Sequence, residues 1–140
     1  MTDLSNLDVI GEANKGALLE LLHPATGEVL FDEKGDDESK YKAFYLKLLG
    51  SDSDVYRSEI KRRTEKTYNS KSKSQKIDLD DAQLKGAQLL AKCTTSCYII
   101  ENGKEVKCTR DEMTRIYLTQ PWIREQAEAF MSDRGNFIKS

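Results

Sequence analysis

The dipeptide Asn102-Gly103 constrains this chain more than any other feature of its 140 residues. It separates Tyr98-Ile99-Ile100-Glu101 from Lys104-Glu105-Val106-Lys107. Both turn residues accept the positive φ angles that a two-residue type I′ hairpin demands. Counting outward pairs Glu101 with Lys104, Ile100 with Glu105, Ile99 with Val106 and Cys97 with Cys108. Strand alternation then gathers Cys97, Ile99, Val106 and Cys108 on one face. Two further stretches can supply partner strands. ALLELL at 17–22 meets HPATGE, where Pro24 and Gly27 favour a turn, and Val29-Leu30-Phe31 returns the chain. Tyr41 then opens YKAFYLKLL, which places Phe44, Leu46 and Leu48 on one strand face and Tyr45, Lys47 and Leu49 on the other.

Between and after these strands the pattern turns helical. Ser51-Asp52-Ser53-Asp54 offers capping oxygens and first-turn acids to a helix reaching about residue 68. Its apolar stripe is narrow: Val55, Tyr56, Ile60, Thr64 and Thr67. A second helix opens at Asp78, Asp80 and Asp81 and carries Leu79, Ala82, Gly86, Leu89, Leu90 and Cys93 on one stripe. A glycine inside a helix costs about 1 kcal/mol relative to alanine, so Gly86 predicts a close backbone approach. Thr109-Arg110-Asp111-Glu112 has the form of a capping box and starts a third helix, with Met113, Ile116 and Tyr117 facing inward. Pro121 restarts the chain as a fourth, whose apolar face is Trp122, Ile123, Ala127, Phe130 and Met131. Gly135 follows as a stop, with Phe137 and Ile138 placed to fold back. Residues 1–16 suit either a short helical turn or an arm docked on the body. The expected fold is α+β: a small antiparallel sheet from hairpins at about 17–31, 41–49 and 97–108, packed with about four helices. It forms a single domain spanning residues 1–140, interrupted by an acidic loop at 32–40 and a polar linker at 69–76.

Charge is segregated along the chain. Residues 1–56 are strongly acidic, whereas residues 57–76 hold eight bases against Glu59 and Glu65, a net charge of +6. A solvated helix face followed by a linker is the ordinary reading of such a block. A sharper one is docking to an acidic partner surface. Nucleic acid ranks behind both, because the acidic remainder would repel phosphate. Charged residues make up 33% of the chain, above the roughly 25% of an average domain, so the core is modest. No apolar run approaches the roughly 18 residues of a membrane span. The opening MTDLSNLDVI lacks a secretory pattern, and with three cysteines the expectation is reduced thiols.

The residue inventory argues against an enzyme. The chain has one histidine, no Gly-rich phosphate loop and no Ser/His or Cys/His nucleophile spacing. His23 reads as a turn residue, and the pairs Asp36-Asp37 and Asp80-Asp81 as solvated or capping carboxylates. Cys93, Cys97 and Cys108 offer three thiolates without a nearby fourth ligand, so no metal, cofactor or catalytic residue is expected. A Cys97–Cys108 disulfide is conceivable across the hairpin, but a reducing compartment argues against it. Trp122 and the neighbouring aromatics fit a core stripe first and a partner groove second. The candidate partner-binding residues are Tyr56, Arg57, Lys61, Arg62, Arg63, Trp122 and Arg124. Reversing the charges of Arg57, Lys61, Arg62 and Arg63 is expected to weaken partner binding and leave the fold intact.

Taken in order, the segments LELLHPATGEVL, LKLLGSDSDVYRSEIKRR, LKGAQLLAKCTTSCYIIENGKEV and PWIREQAEAFMSDRGNF cover most of residues 4–138. Their layout and wording resemble the tail assembly chaperones of long-tailed bacteriophages, also called minor tail proteins. The most specific pieces are HPATGE, GSDSDVYR and PWIREQAEAFMSDRGNF. Two departures stand out: loop 32–40 looks inserted, and Tyr98 stands where a tryptophan is expected. The resemblance implies a non-enzymatic protein of the host cytoplasm, absent from the mature virion. Its implied partners are the tape measure protein, which it holds soluble, and the tail tube protein, whose subunits it helps recruit. Neither nucleic acid nor membrane is an expected partner. The competing structural reading is a minor tail or connector subunit retained in the particle. The family often makes a longer frameshifted product, which a protein sequence cannot display.

Overall fold

A computed structural model describes residues 4–69 and 79–138. The elements run α1 (Val9–Lys15), β1 (Ala17–Glu20), β2 (Tyr45–Leu48), α2 (Asp54–Asn69), α3 (Leu79–Cys93), β3 (Thr94–Tyr98), β4 (Ile100–Glu101), β5 (Lys104–Glu105), α4 (Arg110–Thr119) and α5 (Pro121–Ser132). This is an α+β architecture with an antiparallel sheet in the order β1-β2-β3 and a separate β4-β5 ribbon. Of the expected linker, residues 70–76 lie outside the described residues.

The hairpin forms in the anticipated register. Ile100 faces Glu105, Glu101 faces Lys104, and the Val106 amide donates to the Ile99 carbonyl at 2.9 Å. Asn102 and Gly103 take φ of 53° and 78°, as a type I′ turn requires. The strand preceding it is longer than the alternation suggested. Thr94 follows α3 directly, and β3 leaves the ribbon to pair with β2 (Leu46 with Cys97, Tyr45 with Tyr98). The first hairpin is likewise redistributed. β1 pairs with β2 rather than with the returning limb, which forms no ladder and is joined to its neighbours at the isolated bridges Leu22–Val29 and Phe31–Ala43. At that corner Leu21 donates to the Phe44 carbonyl, Leu30 to that of Leu21, and Phe44 to that of Leu30, closing a three-segment ring.

The helices cover one face of the sheet. Leu21, Leu46 and Leu48 are fully buried against Ala87, Leu90 and Cys93 of α3, Met113, Ile116 and Tyr117 of α4, and Ile123, Ala127 and Met131 of α5. Tyr117 brings a hydroxyl into this core. Thr94 Oγ1 donates to the Leu90 carbonyl at 2.7 Å, so Tyr117 donates in turn to Thr94 Oγ1, also at 2.7 Å. No buried side-chain polar atom is left unpaired among the described residues. Trp122 and Phe130 pack against the rim, and Phe137 folds back edge-on to Phe130 at 5.5 Å.

Within residues 1–16 the helical alternative holds: residues 9–15 form α1, fixed to the start of α2 by reciprocal bonds between Asn14 and Asp54 of 2.8 and 2.9 Å. Several other expectations need correction. The close backbone approach is at Gly50, where an added Cβ would stand 2.9 Å from Ala13 Cβ and 3.1 Å from the Phe137 ring. At Gly86 it would meet nothing within 4 Å. Ala82 is exposed, so α3 buries only its C-terminal half. Only half the capping box forms: Thr109 Oγ1 accepts from the Glu112 amide at 3.2 Å, but Glu112 turns its carboxylate to Arg115. Loop 32–40 holds a 3₁₀ turn capped by Asp37, and Asp32 at its base accepts the Lys34 and Lys42 amides and the Tyr98 hydroxyl.

Candidate partner-binding surfaces

The basic helix is built around an acid. Glu59, one turn after the half-buried Tyr56, lies on the inward side of α2 and is only 5% exposed. Its carboxylate accepts from Arg62, from Arg63 Nε at 3.1 Å and from Lys92 Nζ of α3 at 3.1 Å. The Arg62 guanidinium, opposed by burial and aided by Lys92 and Arg63, holds the Glu59 carboxyl down to about 2. Arg63 also donates to the Lys85 carbonyl at 2.7 Å, tying α2 to α3. The predicted stripe is therefore displaced: Ile60 and Thr64 are exposed, while Tyr56, Glu59 and Arg63 face the body.

This arrangement divides the predicted binding residues. Arg57 and Lys61 are exposed and can meet a partner. Arg62 and Arg63 hold a buried carboxylate, so the fourfold charge reversal would damage the fold instead of leaving it intact. Tyr56 is half-buried beside Leu89, Leu90 and Met131 around a cavity of about 250 Å³. Trp122 is half-buried, with Nε1 donating to Gln120 Oε1 at 3.0 Å. Arg124 is half-buried on the same helix.

The thiols remain unpaired. Burial pushes Cys93 up to about 11; burial, with Cys108 beside it, pushes Cys97 up to about 12. Among the described residues no three His, Cys, Asp or Glu side chains gather as a metal site. His23 caps its own turn, its Nδ1 accepting the Ala25 and Thr26 amides at 3.0 and 3.2 Å. No helix among the described residues is long and apolar enough to cross a membrane.

One surface was missed in the sequence, and a second was found only in its Arg62 and Arg63. The first is the sheet's outer face. Leu19, Leu21 and Leu30 turn to the core, so alternation puts Leu18, Leu22 and Phe31 outside, at 59%, 38% and 47% exposure. The edge of β1 lies beside them. Because the Leu21 amide points to β2, the backbone groups of Leu18, Glu20 and Leu22 point outward. At Leu22 that edge is closed by Gln126 of α5, which accepts the amide at 2.9 Å and donates to the carbonyl at 2.8 Å. The second surface is a cleft between α2, α3 and α4, where Lys92 and Arg110 join Arg62 and Arg63.

Comparison with known proteins finds no matching family model, curated protein or solved structure.

Proposed function

We propose that the chain is a non-enzymatic tail assembly chaperone of a long-tailed bacteriophage. It binds the tape measure protein in the host cytoplasm and helps recruit tail tube subunits around it. The observation that carries this reading is the outer sheet face. Three large apolar side chains, Leu18, Leu22 and Phe31, stand exposed beside a strand edge with outward backbone groups at Leu18 and Glu20. Apolar contact combined with available main-chain hydrogen bonds is how one polypeptide holds another reversibly. The apolar side chains suit the uncovered seams of a long helical protein, whereas the strand edge serves partner segments that are extended, because a helix satisfies its own main-chain groups.

The test is co-expression with the large helical tape measure protein, followed by measuring its soluble fraction and its capture on the tagged chain. The tape measure protein is expected to stay soluble and co-purify. Leu18→Glu should cut that yield severalfold with an unchanged melting temperature, since Leu18 lies outside the core. Equal insolubility with and without the chain would overturn the proposal. So would finding the chain at fixed stoichiometry in purified virions, which is the outcome expected of a retained structural subunit.

A further inference from the structure

The cleft between α2, α3 and α4 carries positive charge that the fold does not consume. It encloses about 490 Å³ and is lined by Arg62, Arg63, Lys92 and Arg110 against Glu59 and Asp111. Glu59 supplies one negative charge to three cations, so its cluster keeps a net charge of +2. Arg110 has no ion-pair partner among the described residues. It stands at the first helical position of α4, directly after the capping residue Thr109. Glu59 thus anchors the cationic groups beside it in place, which lowers the entropic cost of ordering them around a ligand. One wall is apolar, because Leu84 is 38% exposed within the cleft.

We infer that this cleft binds an acidic amphipathic helix of a partner polypeptide. Carboxylates one turn apart on such a helix reach Arg62 or Lys92 on one side and Arg110 on the other, and an apolar side chain between them covers Leu84. Nucleic acid fits less well. Glu59 and Asp111 interrupt the cationic lining, Leu84 offers nothing to a phosphate, and residues 1–56 repel a polyanion. This inference rests on the proposed function only in taking the ligand to be a polypeptide.

Fluorescence anisotropy tests it with three labelled probes. The first is a peptide of about 16 residues, long enough to be partly helical, with paired Glu residues flanking a Leu. The second is its Glu→Gln analogue, and the third a short DNA duplex. The acidic peptide is expected to bind in a salt-sensitive manner and its Gln analogue about tenfold more weakly. Arg110→Glu should weaken binding about tenfold. It should leave the melting temperature unchanged, because an acid suits the first turn of a helix. Arg57→Glu, outside the cleft, should change affinity by less than about twofold. Equal binding of the Gln analogue, or indifference to Arg110→Glu, would overturn the inference. Tighter, Arg110-dependent binding of DNA would overturn it in favour of nucleic acid. The two readings fail separately. A chain that binds the peptide but leaves the tape measure protein insoluble sustains the cleft and removes the chaperone. A chain that keeps that protein soluble but ignores the peptide removes the cleft alone.

Discussion

Replacing Glu59 by glutamine removes one charge and almost no volume, so it isolates the electrostatic role of the hub on α2. Lowering a carboxyl from its ordinary 4.5 to about 2 corresponds to at most about 3.4 kcal/mol, at about 1.4 kcal/mol per decade of acidity. The Arg62 side chain is 64% exposed and Lys92 partly so, and water screens their share. A loss of about 2 kcal/mol is the working expectation for Glu59→Gln at neutral pH. For a chain of this size that is a fall of about 7 °C in melting temperature. The pH dependence follows from the same linkage. The folded-state value is depressed, so the stabilisation is full above the unfolded value of about 4.5 and is lost as pH falls toward about 2. Urea unfolding across that interval should show the wild type losing about 2 kcal/mol more than Glu59→Gln, so that the two curves converge in acid. Other lowered carboxyls, such as Asp52 beside Arg134, titrate in both proteins and cancel in the difference. A variant within about 0.5 kcal/mol of wild type, or two parallel acid limbs, would refute the argument.

Gly86→Ala should raise the urea midpoint by the equivalent of about 1 kcal/mol, because the new methyl meets no neighbour and the helix gains propensity. Gly50→Ala should lower it by about 1–3 kcal/mol, since its Cβ would press on Ala13 and Phe137. Gln126→Ala removes two bonds to the Leu22 backbone. It should cost about 1 kcal/mol and speed amide exchange at Leu22, measured by hydrogen exchange. An aromatic disulfide reagent at mildly alkaline pH should find one fast thiol, the exposed Cys108, and Cys108→Ser should abolish that phase. Cys93 and Cys97 are held protonated by burial.

The parts of the fold that were legible in the sequence are those in which local chemistry and periodicity agree. Asn102-Gly103 allows few conformations besides a type I′ turn, and the observed φ angles follow. Met113, Ile116 and Tyr117 recur at helical spacing and are all buried, as are Ile123, Ala127 and Met131. What local pattern could not reveal is which strands pair. ALLELL and its turn read as a hairpin closed on itself, yet β1 pairs along its length with β2 while the returning limb forms no ladder. That choice depends on Leu21, Leu30 and Phe44 meeting at one corner, a contact among three separate segments.

The candidate surfaces were hidden for a related reason. A basic run is naturally read as a solvated face, and an acid within it as a neutralising neighbour. In α2 the order is inverted, because Glu59 is the buried residue and the cations gather around it. One clue was available: Arg62 and Arg63 stand three and four residues after Glu59, the spacing at which helical side chains meet, and Tyr56 stands three before it on the apolar side. Lys92 carries no such clue, since it reaches the carboxylate from another helix across 33 residues of chain. The consequence for function is specific. Charge reversal at Arg62 or Arg63 cannot separate a lost partner from a weakened fold, whereas Arg57, Lys61 and Arg110 have no ion-pair partner among the described residues and can. A partner that reads the exposed face of α2 should respond to Arg57 and Lys61, and one seated in the cleft to Arg110.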